Sequence, residues 1–298
     1  MREARATVIA VASGKGGTGK TTVAAHLALA ASRRGKALLV DLDVEAPDAL
    51  GYFRDAAPSG ERLRVELRVP RLDASLCTGC RLCAKICRFG AIVALGKVVT
   101  VNDRICKGCG RCVAACPAGA LGEVEAEVGG TARFKAGELA IIEGRMTVGD
   151  IRSTAVIEAA KRRAAAESVD TQIRDCPPGV TCPSAHAIEG ADCLVLVAEP
   201  TRFSLHDLGA ALELAKGRGI PVGVVLNKEG FGGADVEGFC GERGVPIMGR
   251  IAFSRERASS GAAACLWGDD RAFMAEVERI LARAAGVAAP GAGSEAAT

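Results

Sequence analysis

The sequence predicts an α/β fold, a mostly parallel sheet with helices on both faces, interrupted by an inserted α+β unit. Three observations predict it. Apolar runs that end in glycine, acid or amide, at residues 8–12, 37–43, 193–198 and 222–227, together with a mixed strand pattern at 169–175, alternate with longer helical patterns. The composition changes abruptly at Asp73, where cysteines crowd together, and reverts after Gly122. The 298 residues, 49% of them hydrophobic, are enough to bury a sizeable core in one or two domains.

The first run, VIAVA, breaks into Ser13-Gly14-Lys15-Gly16-Gly17-Thr18-Gly19-Lys20-Thr21, and a helical pattern takes over at residues 22–32. Strand, glycine loop and helix start match the phosphate-loop template G-x-x-x-x-G-K-[ST]. The expected nucleotide contacts are Gly14, Gly16, Gly17, Thr18, Gly19, Lys20, Thr21 and Thr22. Glycines let backbone N–H groups turn inward around phosphate oxygens, and the helix N-terminus adds partial positive charge. Lys20 reaches the β/γ-phosphates, and the Thr21 hydroxyl takes a Mg²⁺ position.

The second run is a buried strand ending in Asp41 and Asp43. An acid placed there holds the Mg²⁺ shell or positions the attacking water. Asp43 is the expected catalytic acid and Mg²⁺ neighbour, with Asp41 the next candidate. Residues 63–72 mix apolar and charged positions and read as an edge strand leading out of the nucleotide domain.

Beyond Asp73, Cys77, Cys80, Cys83 and Cys87 form a C-x₂-C-x₂-C-x₃-C run, and Cys106, Cys109, Cys112 and Cys116 repeat it 29 positions later. This is an internal duplication. Three thiolates at such spacing surround one corner of a cubane, and the fourth comes from the other run. One 4Fe–4S cluster is therefore expected on Cys77, Cys80, Cys83 and Cys116, the other on Cys106, Cys109, Cys112 and Cys87. Two structural Cys₄ zinc sites are the competing reading. About 50 residues resemble the bacterial two-cluster ferredoxin, with Pro117 after the last cysteine and Arg88 replacing the earlier proline.

Composition excludes several classes. The net charge of +3 carries no basic block, so nothing points to nucleic acid. Two cubanes would bring the balance to about −1. No apolar stretch is long enough for a membrane span. The first residues run directly into a strand, leaving no room for a signal peptide, so a cytoplasmic protein is expected. In that setting thirteen cysteines, eight of them in two tightly spaced runs, point to metal, not disulfides.

After Gly122 the chain reads as a helix over residues 150–167, with apolar Ile151, Ala155, Val156 and Ile157. A strand over 169–175 then leads into Asp175-Cys176-Pro177-Pro178-Gly179. Further elements are expected at 193–198 (strand), 204–216 (helix), 222–227 (strand), 247–253 (strand and turn) and 270–284 (helix). The last helix carries Phe273, Val277, Ile280 and Leu281 on one face, and the tail at 287–298 reads as disordered. Gly230 stands where guanine-specific enzymes carry an aspartate after Asn227-Lys228, which favours ATP over GTP.

Lys15 gives the loop the form K-G-G-x-G-K-T. With VDLDVEAPD (40–48), DCPPGVTCPS (175–184), AEPT (198–201) and VLNK (225–228), the chain resembles the MinD/ParA, Mrp and nitrogenase iron-protein ATPases. It is most similar to MinD-like ATPases with an inserted ferredoxin domain. The resemblance implies a mostly parallel P-loop NTPase sheet over residues 1–70 and 123–286, interrupted by an α+β ferredoxin-like domain at 71–122. It implies that Asp175 binds the Mg²⁺ shell, that Asn227 contacts the base, and that Lys15 crosses an ATP-dependent homodimer interface to the partner's phosphates. Cys182 stands where the nitrogenase iron protein has a cluster cysteine, but that protein's other cluster cysteine has no match here. Two functions are implied: ATP turnover gating electron delivery to a partner redox protein, or assembly and carriage of clusters or metallocofactors.

Overall fold

The computed structural model describes residues 5–261 and 265–288. β1 (Thr7–Ala12) leads through the glycine loop into α1 (Lys20–Ser32) and β2 (Ala37–Asp41). A two-residue strand β3 (Ala57–Pro58) and the long β4 (Leu63–Leu72) follow, then α2 (Leu82–Ile86), β5 (Ile92–Leu95), β6 (Val98–Val101) and α3 (Arg111–Ala114). β7 (Leu121–Ala136) and β8 (Leu139–Met146) bring the chain back. The rest alternates: α4 (Ser153–Ala165), β9 (Thr171–Asp175), α5 (Cys182–Ile188), β10 (Cys193–Ala198), α6 (Arg202–Lys216), β11 (Val222–Glu229), α7 (Val236–Gly241), β12 (Ile247–Ala252), α8 (Arg255–Gly261) and α9 (Arg271–Ala288).

Ten strands form one sheet in the order β12-β11-β10-β1-β9-β2-β8-β7-β3, with β4 also on β7. From β12 to β8 every pairing is parallel; β7 runs antiparallel to β8, β3 and β4. β1, β2 and β10 are buried on both faces, which is why they read as unbroken apolar runs, whereas β9 buries Gln172 and Arg174 and the edge strand β12 exposes Arg250. Ile9 and Val11 face the layer of α1 and α9, whereas Ala10 and Ala12 face the layer containing α4, α5, α6 and α7. α9 buries Phe273, Met274, Val277, Ile280, Leu281 and Ala284, the apolar face read from its periodicity. Truncating a fully buried side chain between the layers, such as Ile173, costs about 2–5 kcal/mol.

β7 is 16 residues long. Its second half pairs with β8, but residues 121–128 pair only with β4, so the β4–β7 ribbon runs off the end of the sheet. At its tip Leu72 pairs with Leu121, and the Asp73 amide donates to Ala120 O at 2.8 Å. Residues 73–120 form a small unit beyond that point, around Cys83, Ile92, Cys112 and Leu121 on one side and Val69, Ala91 and Cys106 on the other.

Several boundaries differ from the sequence reading, each for a local reason. The strand expected at 37–43 stops at Asp41, whose carboxylate accepts the Asp43 and Ala49 amides at 3.1 and 2.9 Å and turns the chain out of the sheet. The helix expected from Asp150 starts at Ser153. The Asp150 carboxylate accepts the Ile151 and Arg152 amides, and Ile151 is left 56% exposed instead of joining the apolar face. Val287 and Ala288, placed in the tail, continue α9 and pack against the core. The rest of the expected tail, 289–298, lies outside the described residues. Among the described residues no helix is long and apolar enough to cross a membrane.

Candidate functional site

The parallel strands end on one edge of the sheet, where an open α/β fold binds its ligands. Val11 and Asp41 are both in register with Asp175, so the glycine loop after β1 opens beside the acidic ends of β2 and β9. Gly19 has φ +91, and a Cβ there would lie 2.3 Å from Asn227 Nδ2. Gly14 has no room for a side chain either, because a Cβ would meet the Asp207 backbone at 2.4 Å. These glycines fix the loop against β11 and α6.

Lys20 is buried, with its ammonium 2.6 Å from Asp175 Oδ1, 3.5 Å from Asp43 Oδ2 and 3.3 Å from Thr21 Oγ1. Burial alone lowers its pKa, but the charges of Asp175, Asp43 and Asp41 more than offset it and hold the group protonated. The carboxyl of Asp41 is pushed well up by complete burial and by Asp175 beside it. Asp43 is raised by burial, opposed by Lys20. Of the two acids on this segment, Asp43 is half-buried and faces the ammonium, whereas both Asp41 oxygens accept backbone amides. The structure therefore brings Lys20, Thr21, Asp43 and Asp175 together and leaves Asp41 as a turn-forming residue.

Lys15 points to its own chain. Its Nζ lies 2.5 Å from Glu199 Oε1, and Lys228 takes Glu199 Oε2 at 3.0 Å while donating to Gly17 O at 2.7 Å. Burial raises the Glu199 pKa, but the two ammonium groups more than offset this and hold it low. Asn227, expected at the base, donates to Thr18 O at 2.7 Å and braces the loop. It also lines a cavity of about 300 Å³ together with Gly17, Gly19, Lys228, Phe253 and Trp267. Glu199 is absent from the sequence-based site. Its signal resembled that of Asp41: an acid at the end of an all-apolar run, here β10.

Two polar atoms report on what the site can hold. Asp175 Oδ2 and Thr18 Oγ1 are buried without a hydrogen-bond partner among the described residues. A buried acceptor left unpaired is costly. An acidic oxygen and a hydroxyl at the mouth of a phosphate loop fit the hydrated Mg²⁺ and the nucleotide that such a loop holds.

The cysteine unit keeps its duplication in three dimensions. Positions 29 apart share left-handed backbone: Gly79 and Gly108 (φ 71 and 67), Arg81 and Gly110 (64 and 70), Gly90 and Gly119 (65 and 61). Cys77, Cys80, Cys83 and Cys116 line one apolar cavity, whereas Cys87, Cys106, Cys109 and Cys112 line a second. Each set holds three thiols from one run and one from the other, and all are free. The second set sits against the ribbon, where a Cβ on Gly108 would meet Arg68 O at 3.1 Å; the first sits beside the β5–β6 hairpin, through Gly79 and Lys97. Cys182 is exposed at the start of α5. Cys176, Cys193 and Cys240 are buried, with their thiols pushed up by desolvation, and pack as small apolar residues.

A parallel α/β sheet with a glycine loop, a buried lysine and acidic strand ends defines a phosphate-loop nucleotide-binding protein. The description of one such family, CbiA, the CobQ/CobB/MinD/ParA nucleotide binding domain, matches residues 9–262, and the chain belongs to that family. An uncharacterized protein of Methanocaldococcus jannaschii is 32% identical over 223 residues, covering 75% of this chain and 78% of its own. The iron-sulfur cluster carrier protein of Aquifex aeolicus is 50% identical over 60 residues, 20% of this chain and 16% of the carrier. Among solved structures, the septum site-determining protein MinD of Pyrococcus horikoshii, complexed with Mg-ADP, superposes with a TM-score of 0.55 at 17% identity over 96% of this chain and 99% of its own. That similarity speaks for the fold alone.

Proposed function

We propose that the chain is a Mg²⁺-dependent ATPase that dimerises on ATP and couples its nucleotide state to electron transfer from two 4Fe–4S clusters to a partner redox protein. In this reading residues 71–122 are the cluster-binding insert of an ATPase body formed by 1–70 and 123–286. The observation that carries it is the partition of eight thiols into two sets of three plus one, on the same chain as a complete phosphate loop.

The spread of the sulfurs supports cubanes over mononuclear zinc. Among the described residues the one trio of acidic, thiol or imidazole ligand atoms lying within 4.8 Å of one another is Glu158, His186 and Glu189, so no three of these thiols are that close. A zinc tetrathiolate, with Zn–S near 2.3 Å, holds its sulfurs about 3.8 Å apart. Bound clusters supply one-electron carriers. The thirteen free thiols fit a reducing, cytoplasmic setting.

The protein's own groups set the nucleotide steps. Lys20 leaves Asp175 for the phosphates, which frees both Asp175 oxygens for the Mg²⁺ shell, and Asp43 orients the attacking water. The 175–179 turn runs into α5, and α5 is tied to α4. Lys161 Nζ donates to His186 O at 2.6 Å, and Glu158 contacts His186 Nδ1 at 3.0 Å. The start of α4 touches the cysteine unit, which gives nucleotide exchange a contiguous route to it.

The test uses anaerobically prepared, dithionite-reduced protein and follows its reoxidation by a flavodoxin in ATP and in ADP. A rate that differs between the nucleotides is expected; equal rates contradict the coupling. A second reading, an iron-sulfur or metallocofactor carrier, is favoured by the 60-residue match to the Aquifex aeolicus carrier. Incubation with apo-aconitase separates them: iron stays on the chain in the first reading and moves to the acceptor in the second.

A further inference from the structure

The duplication makes the two thiol sets near copies, so a difference between them must come from their surroundings. Three observations fall on the set formed by Cys87, Cys106, Cys109 and Cys112. The Ala91 amide donates to Cys87 Sγ at 3.3 Å, and the Gly108 amide donates to Cys106 Sγ at 3.4 Å. The counterpart bonds in the other set, from Ala120 to Cys116 and from Gly79 to Cys77, do not form among the described residues.

The third is Arg152, which belongs to the ATPase body and is 3% exposed. Its Nη1 donates to Asp103 O at 3.0 Å, and that same carbonyl accepts the Cys106 amide at 3.1 Å. Lys107, next to Cys106, donates back to Ile151 O at 3.5 Å. In the first half the equivalent carbonyl, Ala74 O, accepts the Cys77 amide at 3.4 Å and, among the described residues, meets no guanidinium. Asp150 holds the far side of the Arg152 group, so the pair presents its positive end to the cysteine unit.

Resting on the two-cluster reading, we infer that Arg152 and the two amide-to-thiol bonds place the first electron on the cluster of the inner set, Cys87, Cys106, Cys109 and Cys112. Adding one electron to a protein with two [4Fe–4S]²⁺ centres makes one of them [4Fe–4S]⁺, with one more negative charge on its ligand shell. The positive end of the Arg152–Asp150 pair and the N–H···S bonds favour that charge. The deeper burial of Cys106 opposes it, but it bears on one ligand only, whereas the inward-facing positive end of the Arg152–Asp150 pair acts on the whole cluster. Arg152 is thus a positioning residue: it holds the reducing equivalent on the side of the unit that touches α4.

The test is a dithionite titration of the holoprotein monitored by electron paramagnetic resonance, which resolves two potentials. Arg152→Gln, combined with Asp150→Asn so that no acid is left unpaired, is expected to lower the higher potential and leave the lower one in place. The expected change is about tenfold in the electron's partition, which is 59 mV for one electron. Arg152→Lys, which keeps the charge, is expected to restore the gap. Equal shifts of both potentials, or none, or a shift of the lower one alone, overturn the inference. Iron and sulfide content, measured on the same samples, separates that failure from loss of the clusters themselves.

Discussion

Lys20 Nζ and Asp175 Oδ1 lie 2.6 Å apart beneath the glycine loop, joining the first residue of α1 to the last residue of β9. The contact sets the resting charge balance of the site, because Asp41 and Asp43 lean on the same ammonium. Its removal has two consequences. Lys20→Ala is expected to abolish ATP binding, read by equilibrium dialysis. It is also expected to destabilise the protein at neutral pH by about 3–5 kcal/mol, since a buried carboxylate loses its partner. Asp41 and Asp43, already raised by burial, lose the ammonium that opposes the rise, so the lost stability returns as pH falls. Urea denaturation at pH 7 and pH 5 measures both.

The two acids after β2 separate function from structure. Asp43→Ala is expected to bind ATP and cleave it slowly, because its side chain faces the ammonium and, in the proposed role of orienting the attacking water, acts in the transition state. Asp41→Asn is expected to lower stability by about 1–3 kcal/mol with a smaller effect on turnover, because its oxygens cap the Asp43 and Ala49 amides. Single-turnover ATP hydrolysis beside thermal unfolding checks the pair; wild-type turnover in Asp43→Ala moves the catalytic acid elsewhere.

Lys15 is clasped by Glu199 within its own chain, so a cross-dimer role requires that this ion pair open. Sedimentation velocity in ATP on the slow-hydrolysing Asp43→Ala background tests the exchange. Adding Lys15→Ala is expected to leave ATP binding near normal and abolish the dimer. Adding Glu199→Gln is expected to bring dimerisation to lower ATP, because the intrachain competitor is gone. A dimer untouched by Lys15→Ala contradicts the role.

His26 gives a pH signature independent of the nucleotide. It is fully buried between α1 and α9, with Nδ1 donating to Thr22 O at 2.7 Å and Nε2 accepting the Trp267 amide at 3.0 Å. Burial pushes its pKa down from 6.5 to about 4. Below 6.5 the unfolded chain binds the proton and the folded one does not, so stability is complete above 6.5 and falls as pH drops toward 4. The loss is about 3 kcal/mol. Denaturation midpoints across that window in wild type and His26→Gln are expected to converge at low pH.

Most of the nucleotide site was legible because the buried strands β1 and β2 leave apolar runs that Gly14 and Asp41 end at the ligand edge, and Asp175 was marked by the Pro-Pro-Gly that follows it. The hairpin of β7 and β8 was not. Residues 121–128 lie in a ribbon paired only with β4 and largely exposed, so their alternation of valine, glutamate and glycine carries no core pattern. Arg152 was invisible for another reason. It sat inside a stretch read as helix, and no periodicity reports that a guanidinium meets a carbonyl 49 residues away. Glu199 lay within a stretch quoted for its resemblance, but its two lysine partners come from distant loops that only the fold brings together.

The measurement that bears most directly on the account is the metal content of anaerobically purified protein. About eight iron and eight acid-labile sulfide per chain, with broad absorbance in the visible blue, are expected from two cubanes on the two thiol sets. Stoichiometric zinc without that absorbance contradicts the account, because the nucleotide site would then have no electron carrier to govern.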